Sequence, residues 1–271
     1  MAPRVIDGGG PVLTRAKIVL SFRGSGWEGT FSPSDARQAF NATLASPYLS
    51  RLLQYRGIRR AHIVYTETNT TDIGTLGPDP RKFVSSDIWL VSDEAIRNVV
   101  RAAARARPLR NDEELLYIVV ISQDPIPIVP ESQDASGYHS QFDENGISIK
   151  YAVVLNQSAA TSDQTWGYLP GVFSHELVEA CTDPDTTSGF RLDNGEELAD
   201  LEDERAIRLP GVDHVMRLAA YWSELEGGAV APTTYSLRVA LGKKSTESLP
   251  SVRAEMKGPS LRKAILALCD P

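Results

Sequence analysis

The chain has 271 residues, 42% of them hydrophobic and 23% charged, and a net charge of −7. That is enough material for a sizeable core and the composition of a soluble globular protein. The acidic balance argues against nucleic acid and anionic membranes as partners, because both need a basic surface.

The N-terminal stretch "MAPRVIDGGGPVLTR" has no apolar run of signal-peptide length. Gly8-Gly9-Gly10-Pro11 points to a flexible tail over residues 1–15. "AKIVLSF" (16–22) reads as a buried strand. Ser32, Pro33 and Asp35 form a helix start: a cap, a first-turn proline and a first-turn acid. Pro47 should interrupt that helix. "RRAHIVYTE" is a second strand, with His62 structural within it. Ser92-Asp93-Glu94 opens a helix that Pro108 stops. The arginines of "RNVVRAAARARPLR" are the solvated, dipole-matched end of that helix.

"ELLYIVVIS" (114–122) is apolar on both faces and should be a central strand. A Pro-rich loop follows. "ISIKYAVVLN" (147–156) alternates at its start, as an edge strand does. A strand is expected at 234–242 and a short amphipathic helix at the C-terminus. No segment approaches the roughly 20 apolar residues of a membrane span. Cys181 and Cys269 are too few for a disulfide framework, so a reducing, cytoplasmic setting is expected. The elements together read as one α+β domain.

The chemistry concentrates in "SHELVEACTDPD" (174–185) and "DNGEELADLEDE" (193–204). On a helix, His175 and Glu179 stack on one face. Glu176 is turned by about 100° and leans beside them. Two helical ligands with a neighbouring carboxylate to take a proton from an activated water is the pattern of a metallohydrolase. Read alone, His-Glu-x-x-Glu is more often an ordinary polar helix than a metal site. The second segment carries seven acids in twelve residues, which favours a solvated face, yet Leu198, Ala199 and Leu201 should pack. Glu197 lies 18 residues beyond Glu179, at the distance of a third ligand on a second helix. Glu196 and Asp200 remain open as alternatives. Asp200 could instead hold the second nitrogen of His175 in the second shell.

His139, in "SGYHSQF", is expected at the end of a polar loop, where it can bind substrate or stabilise an oxyanion; a plain surface histidine is the competing reading. Tyr221 is a candidate oxyanion donor, with a core or cleft-wall role as the alternative. His214 reads as a turn residue. Cys181 has no identifiable base and is a poor nucleophile.

"SHELVEACTDPD" followed by "EELADL" resembles a zincin-like family of bacterial and fungal proteins and, more distantly, the plant phosphate-induced (exordium-like) proteins. "SFRGSGW", "SPYLSRLLQYRGI", "GYHS" and "AYWSE" look alike too, so the resemblance spans about residues 16–232. It implies a zincin-like fold: a mixed, mostly parallel sheet with an antiparallel edge strand and an active-site helix. It places the metal on His175, Glu179 and Glu197. Two departures stand out. Glu202 occupies the position of a family cysteine, and "EGGAVAP" lacks its partner cysteine. Residues 235–271 match nothing in the pattern.

The expected activity is metal-dependent hydrolysis, most plausibly of a peptide or amide bond. The base would be Glu176, and the substrate a peptide or small molecule. Zinc is the expected metal, with manganese, iron or calcium as alternatives because the ligand set is rich in carboxylates. Two other readings stand beside it: a metal-dependent tailoring enzyme of a biosynthetic pathway, and a non-enzymatic, degenerate zincin or calcium-binding protein.

Overall fold

The structure is a computed structural model that describes residues 3–24, 27, 31–69, 90–106, 112–122, 126–128, 136–156, 162–201 and 203–232. In chain order the strands and helices are β1 (Val5–Asp7), β2 (Arg15–Arg23), α1 (Pro33–Ala45), β3 (Arg60–Asn69), β4 (Leu90–Ser92), α2 (Asp93–Arg105), β5 (Leu115–Ile121), β6 (Ile126–Ile128), β7 (Gly137–Glu144), β8 (Ile147–Leu155), α3 (Ser162–Thr182), β9 (Phe190–Leu192), β10 (Glu204–Ile207), β11 (Met216–Ala219), β12 (Tyr221–Ser223) and β13 (Gly228–Val230). A 3-10 helix at Tyr48–Gln54 follows α1. The strand and helix expected after residue 233 lie outside the described residues, as does Cys269.

The central sheet has five strands in the order β3-β2-β5-β8-β7. The first four run parallel, and β7 pairs antiparallel with β8. Each face of the sheet has its own core. Ile18, Leu20, Leu116, Ile118, Ala152 and Val154 point into a cluster with Phe40 of α1 and Phe173 and Leu177 of α3. Val19, Tyr117, Val119, Tyr151 and Val153 point the other way, onto Ile96, Val99 and Val100 of α2. The alternation of β5 residues between the two cores is why that strand reads as apolar throughout.

The helix boundaries follow local chemistry. Ser32 caps α1 in a reciprocal capping box with Asp35, and Ser92 caps α2. α1 ends at Ala45, before Pro47. Among the described residues no helix is long and apolar enough to cross a membrane.

Three expectations are corrected. The strand at 147–155 is not the edge: β7, taken for loop, lies outside it. Asn145 and Gly146, both at positive φ, close the β7–β8 hairpin, which Glu144↔Ile147 pairing seals. Residues 3–13 are not loose. β1 pairs antiparallel with β9, Gly8 N–H donates to Gly189 O at 2.9 Å, and Leu13 N–H donates to Cys181 O at 3.0 Å. Over residues 193–201 the acidic segment is a turn held by a bridge between Glu197 and Arg191, not a second helix. Gly195, at φ +92°, lets the chain reverse there.

Candidate metal centre

α3 is buried on nearly every side. From Gly171 to Ala180 only His175 is partly exposed. Ser174 pins the helix from behind: its hydroxyl donates to Gly171 O at 2.8 Å and accepts from Ala219 N–H at 2.9 Å. This places Glu176 and Glu179, 3% and 4% exposed, in the protein interior. A buried carboxylate is costly unless it is paired, hydrogen-bonded or bound to a cation.

Three segments converge on them at the floor of a cleft of about 1320 Å³, lined by His139, His175, Glu176, Glu179, Glu197 and Asp200 among others. α3 supplies His175, Glu176 and Glu179. β7 supplies His139, which is 8% exposed and lies on the edge strand itself rather than in a loop before it. The 193–201 turn supplies Glu197 and Asp200. Leu198 and Ala199, both buried, fix that turn, and Trp222 N–H donates to Leu198 O at 2.8 Å.

The groups form two trios that share Glu179: His175–Glu179–Asp200 and His139–Glu179–Glu197, each with one donor atom per residue within 4.8 Å of the others. In the first, His175 Nε2 is 3.1 Å from Glu179 Oε1 and 3.6 Å from Asp200 Oδ1. In the second, His139 Nδ1 is 3.5 Å from Glu179 Oε2, and Nε2 is 3.7 Å from Glu197 Oε1. Two ligands at about 2.1 Å from a tetrahedral ion are about 3.4 Å apart, so the His175 spacings and that from His139 Nδ1 to Glu179 suit a metal, whereas the 3.7 Å approach of Glu197 is to the other nitrogen of His139, Nε2. The predicted trio of His175, Glu179 and Glu197 does not close as one group. Glu197 turns instead to Arg191, whose Nη2 is 2.9 Å from Oε1. Asp200, expected behind His175, stands in the position of a ligand.

Glu176 Oε2 and Glu179 Oε1 are buried, and what faces them is imidazole: His139 Nδ1 at 3.8 Å and His175 Nε2 at 3.1 Å. Each carboxylate is balanced by its histidine only while that imidazole carries a proton. His139 has the orientation of a ligand. Its Nε2 donates to the Asp183 carbonyl at 3.0 Å, since a carbonyl can only accept. That leaves the Nδ1 lone pair toward the carboxylates, the arrangement that outer-shell carbonyls impose on ligating histidines. Asp183 is fully buried and is itself held by Gly189 N–H at 2.7 Å and Arg191 Nε at 2.9 Å. The docked N-terminal segment braces this same loop.

The protonation pattern couples the two imidazoles to the carboxylates that surround them. Burial opposes charge on His175, but Glu179, Glu176 and Asp200 outweigh it and push the imidazole up to about 9. His139 is raised in the same way, with Glu176 and Glu179 overcoming burial. Burial raises Glu176. Glu179, between both imidazoles, is held down to about 2 against its burial. Burial lifts Glu197 to about 8 although His139 and Arg191 pull it down. Protons of this kind are what a metal displaces on binding.

Gly137 of β7 is part of the geometry. A Cβ there would lie 2.6 Å from Glu176 Oε1 and 2.7 Å from the Val153 carbonyl. Gly137→Ala should therefore cost about 1–3 kcal/mol, the usual penalty of overpacking, in urea denaturation. An unchanged unfolding midpoint would show that Glu176 does not press on the strand.

Other candidates lie outside the centre. Tyr221 is fully buried, and its hydroxyl donates to the Tyr48 carbonyl at 2.5 Å, so it is a packing residue and not an oxyanion donor. His214 stacks on Trp166, with ring centroids 4.6 Å apart. Cys181 is buried, and burial raises its thiol far above the range in which thiolates form. The role of His139 beside Glu179 is not legible in the sequence by spacing. The available signal was the Asn145-Gly146 turn, which implies a partner strand through residue 139. Likewise Asp193-Asn194-Gly195 is a turn signature that argues against a second helix. No family model matches the chain, and a search of the curated proteins returns no match.

Proposed function

We propose that this chain is a metal-dependent hydrolase of zincin-like architecture acting on a peptide or amide bond. The observation that carries this reading is the meeting of two buried carboxylates, Glu176 and Glu179, with His139 and His175 at a cleft, in trios whose donor atoms lie within 4.8 Å of one another. The mixed sheet with its antiparallel edge strand, and the helix that follows β8, support the architecture.

His175, Glu179 and Asp200 form the primary ligand set. A divalent transition metal there supplies Lewis acidity and a water of lowered pKa. Zinc accepts this set, and the two carboxylates also suit manganese or iron. Calcium fits poorly, because it takes oxygen ligands and the cluster is built on imidazoles. Glu176 stands one residue from His175, outside the trio, and lines the cleft. It accepts the proton of the attacking water as the water adds to the scissile carbonyl. It then returns that proton to the departing nitrogen, so the C–N bond breaks to an acid and an amine. Burial, which raises the Glu176 carboxyl, brings it toward the pH at which it can do both.

The test is metal content. Protein purified without added metal should contain a transition ion by elemental analysis, and His175→Ala should lose it. Retention of near-stoichiometric metal in His175→Ala would exclude this ligand set.

A further inference from the structure

The trio built on His139 is not used by the single-ion reading, yet it has the same makeup as the first. We propose that the cluster binds two divalent transition metals, bridged by Glu179. The first ion sits at His175, Glu179 and Asp200. The second sits at His139, Glu179 and Glu197. This rests on the metal reading above and adds the second ion to it.

Glu179 has the geometry of a bridge. Its two oxygens face opposite ways: Oε1 is 3.1 Å from His175 and Oε2 is 3.5 Å from His139. A carboxylate used in this way holds paired ions roughly 3.5–4 Å apart, the spacing of two-metal hydrolytic sites. The second site has a further buried oxygen beside it: Glu176 Oε2 takes no hydrogen bond and lies 3.8 Å from His139 Nδ1. His139 is already tied through Nε2 to the Asp183 carbonyl, which leaves Nδ1 to coordinate.

Charge points the same way. Glu176, Glu179 and Glu197 are at most 13% exposed at the side chain, and Asp200 completes a set of four carboxylates. Arg191, the cation paired with Glu197, is shared with the fully buried Asp183 at 2.8 Å, so it does not serve the cluster alone. In this arrangement Arg191 orients Glu197 as an outer-shell partner, without neutralising the site.

The experiment is a stoichiometry. Full-length protein stripped with chelator is titrated with Zn²⁺ and with Mn²⁺ and dialysed, and bound metal is counted by elemental analysis. Wild type should hold two ions per chain. Glu197→Gln and His139→Asn should each hold one, with an unchanged circular dichroism spectrum to show that they are folded. The Mn²⁺-loaded wild type should give the exchange-coupled electron paramagnetic resonance spectrum of a bridged pair, and Glu197→Gln that of isolated Mn²⁺. One ion per wild-type chain, lost in His175→Ala, would overturn the pair and leave the single-metal hydrolase standing. No ion in wild type would overturn both. Two ions retained in both folded variants would overturn the placement of the second at His139 and Glu197.

Discussion

Glu179→Gln should abolish metal binding altogether, a larger effect than any other single change in the cluster. Glu179 belongs to both trios, so no other side chain takes its place. Outer-shell changes in metal sites commonly cost about 10–100-fold in affinity. Loss of a shared ligand should exceed that, and an affinity drop of at least about 100-fold is expected in a competition titration with a chromophoric chelator. A stability readout follows from linkage. A ligand present at 100 times its Kd stabilises the fold by about 2.7 kcal/mol, which for a domain of this size is a rise of roughly 5–10 °C in Tm. Wild type should show that rise when Zn²⁺ is added, and Glu179→Gln should show none. Glutamine keeps the shape and removes the charge, so the metal-free variant should still fold. A Glu179→Gln protein that binds and responds to metal as wild type does would remove Glu179 from the centre.

Glu176→Gln should separate binding from chemistry. Glu176 lies outside both trios, so its amide should leave metal content close to that of wild type. A glutamine cannot accept the proton of the attacking water. General-base catalysis is commonly worth about 10²–10⁴ in rate, and kcat should fall by that factor on a peptide or amide substrate, with KM little changed. The steric setting bears on the test, because Glu176 Oε1 packs against Gly137, 2.6 Å from where a Cβ there would stand. Glu176→Asp, with the carboxylate withdrawn by one methylene, should recover only part of the rate. A Glu176→Gln enzyme with metal and full activity would assign proton transfer to another group, and His139, facing Glu176 across 3.8 Å, would be the one to replace next.

Both predictions depend on residues that differ in how far the sequence reveals them. The helix carrying His175, Glu176 and Glu179 is legible from spacing alone, because i and i+4 positions share a face whatever the helix packs against. The capping residues Ser32 and Ser92 and the central strand at 115–121 are local signals of the same kind, and all appear in the fold.

What approaches that helix is a different matter. His139 reaches Glu179 only because β7 folds back on β8 and becomes the sheet edge, a pairing between residues far apart in the chain from α3. The exchange of Glu197 for Asp200 beside His175 depends on Arg191, which captures Glu197 across the turn at Gly195. The N-terminal glycines look flexible by composition, yet Gly8 and Gly10 lie so close to Ser188 that a side chain would collide with its carbonyl. In each case local propensity is weak and a long-range contact decides. The sequence by itself determined the chemistry available: one helix with an imidazole and two carboxylates, and an acidic segment to face it. Which carboxylate faces which imidazole, and that Glu179 serves both, was decided only by tertiary packing. Register between strands and the reach of a charged side chain are set by burial and pairing energies that no short stretch of sequence contains.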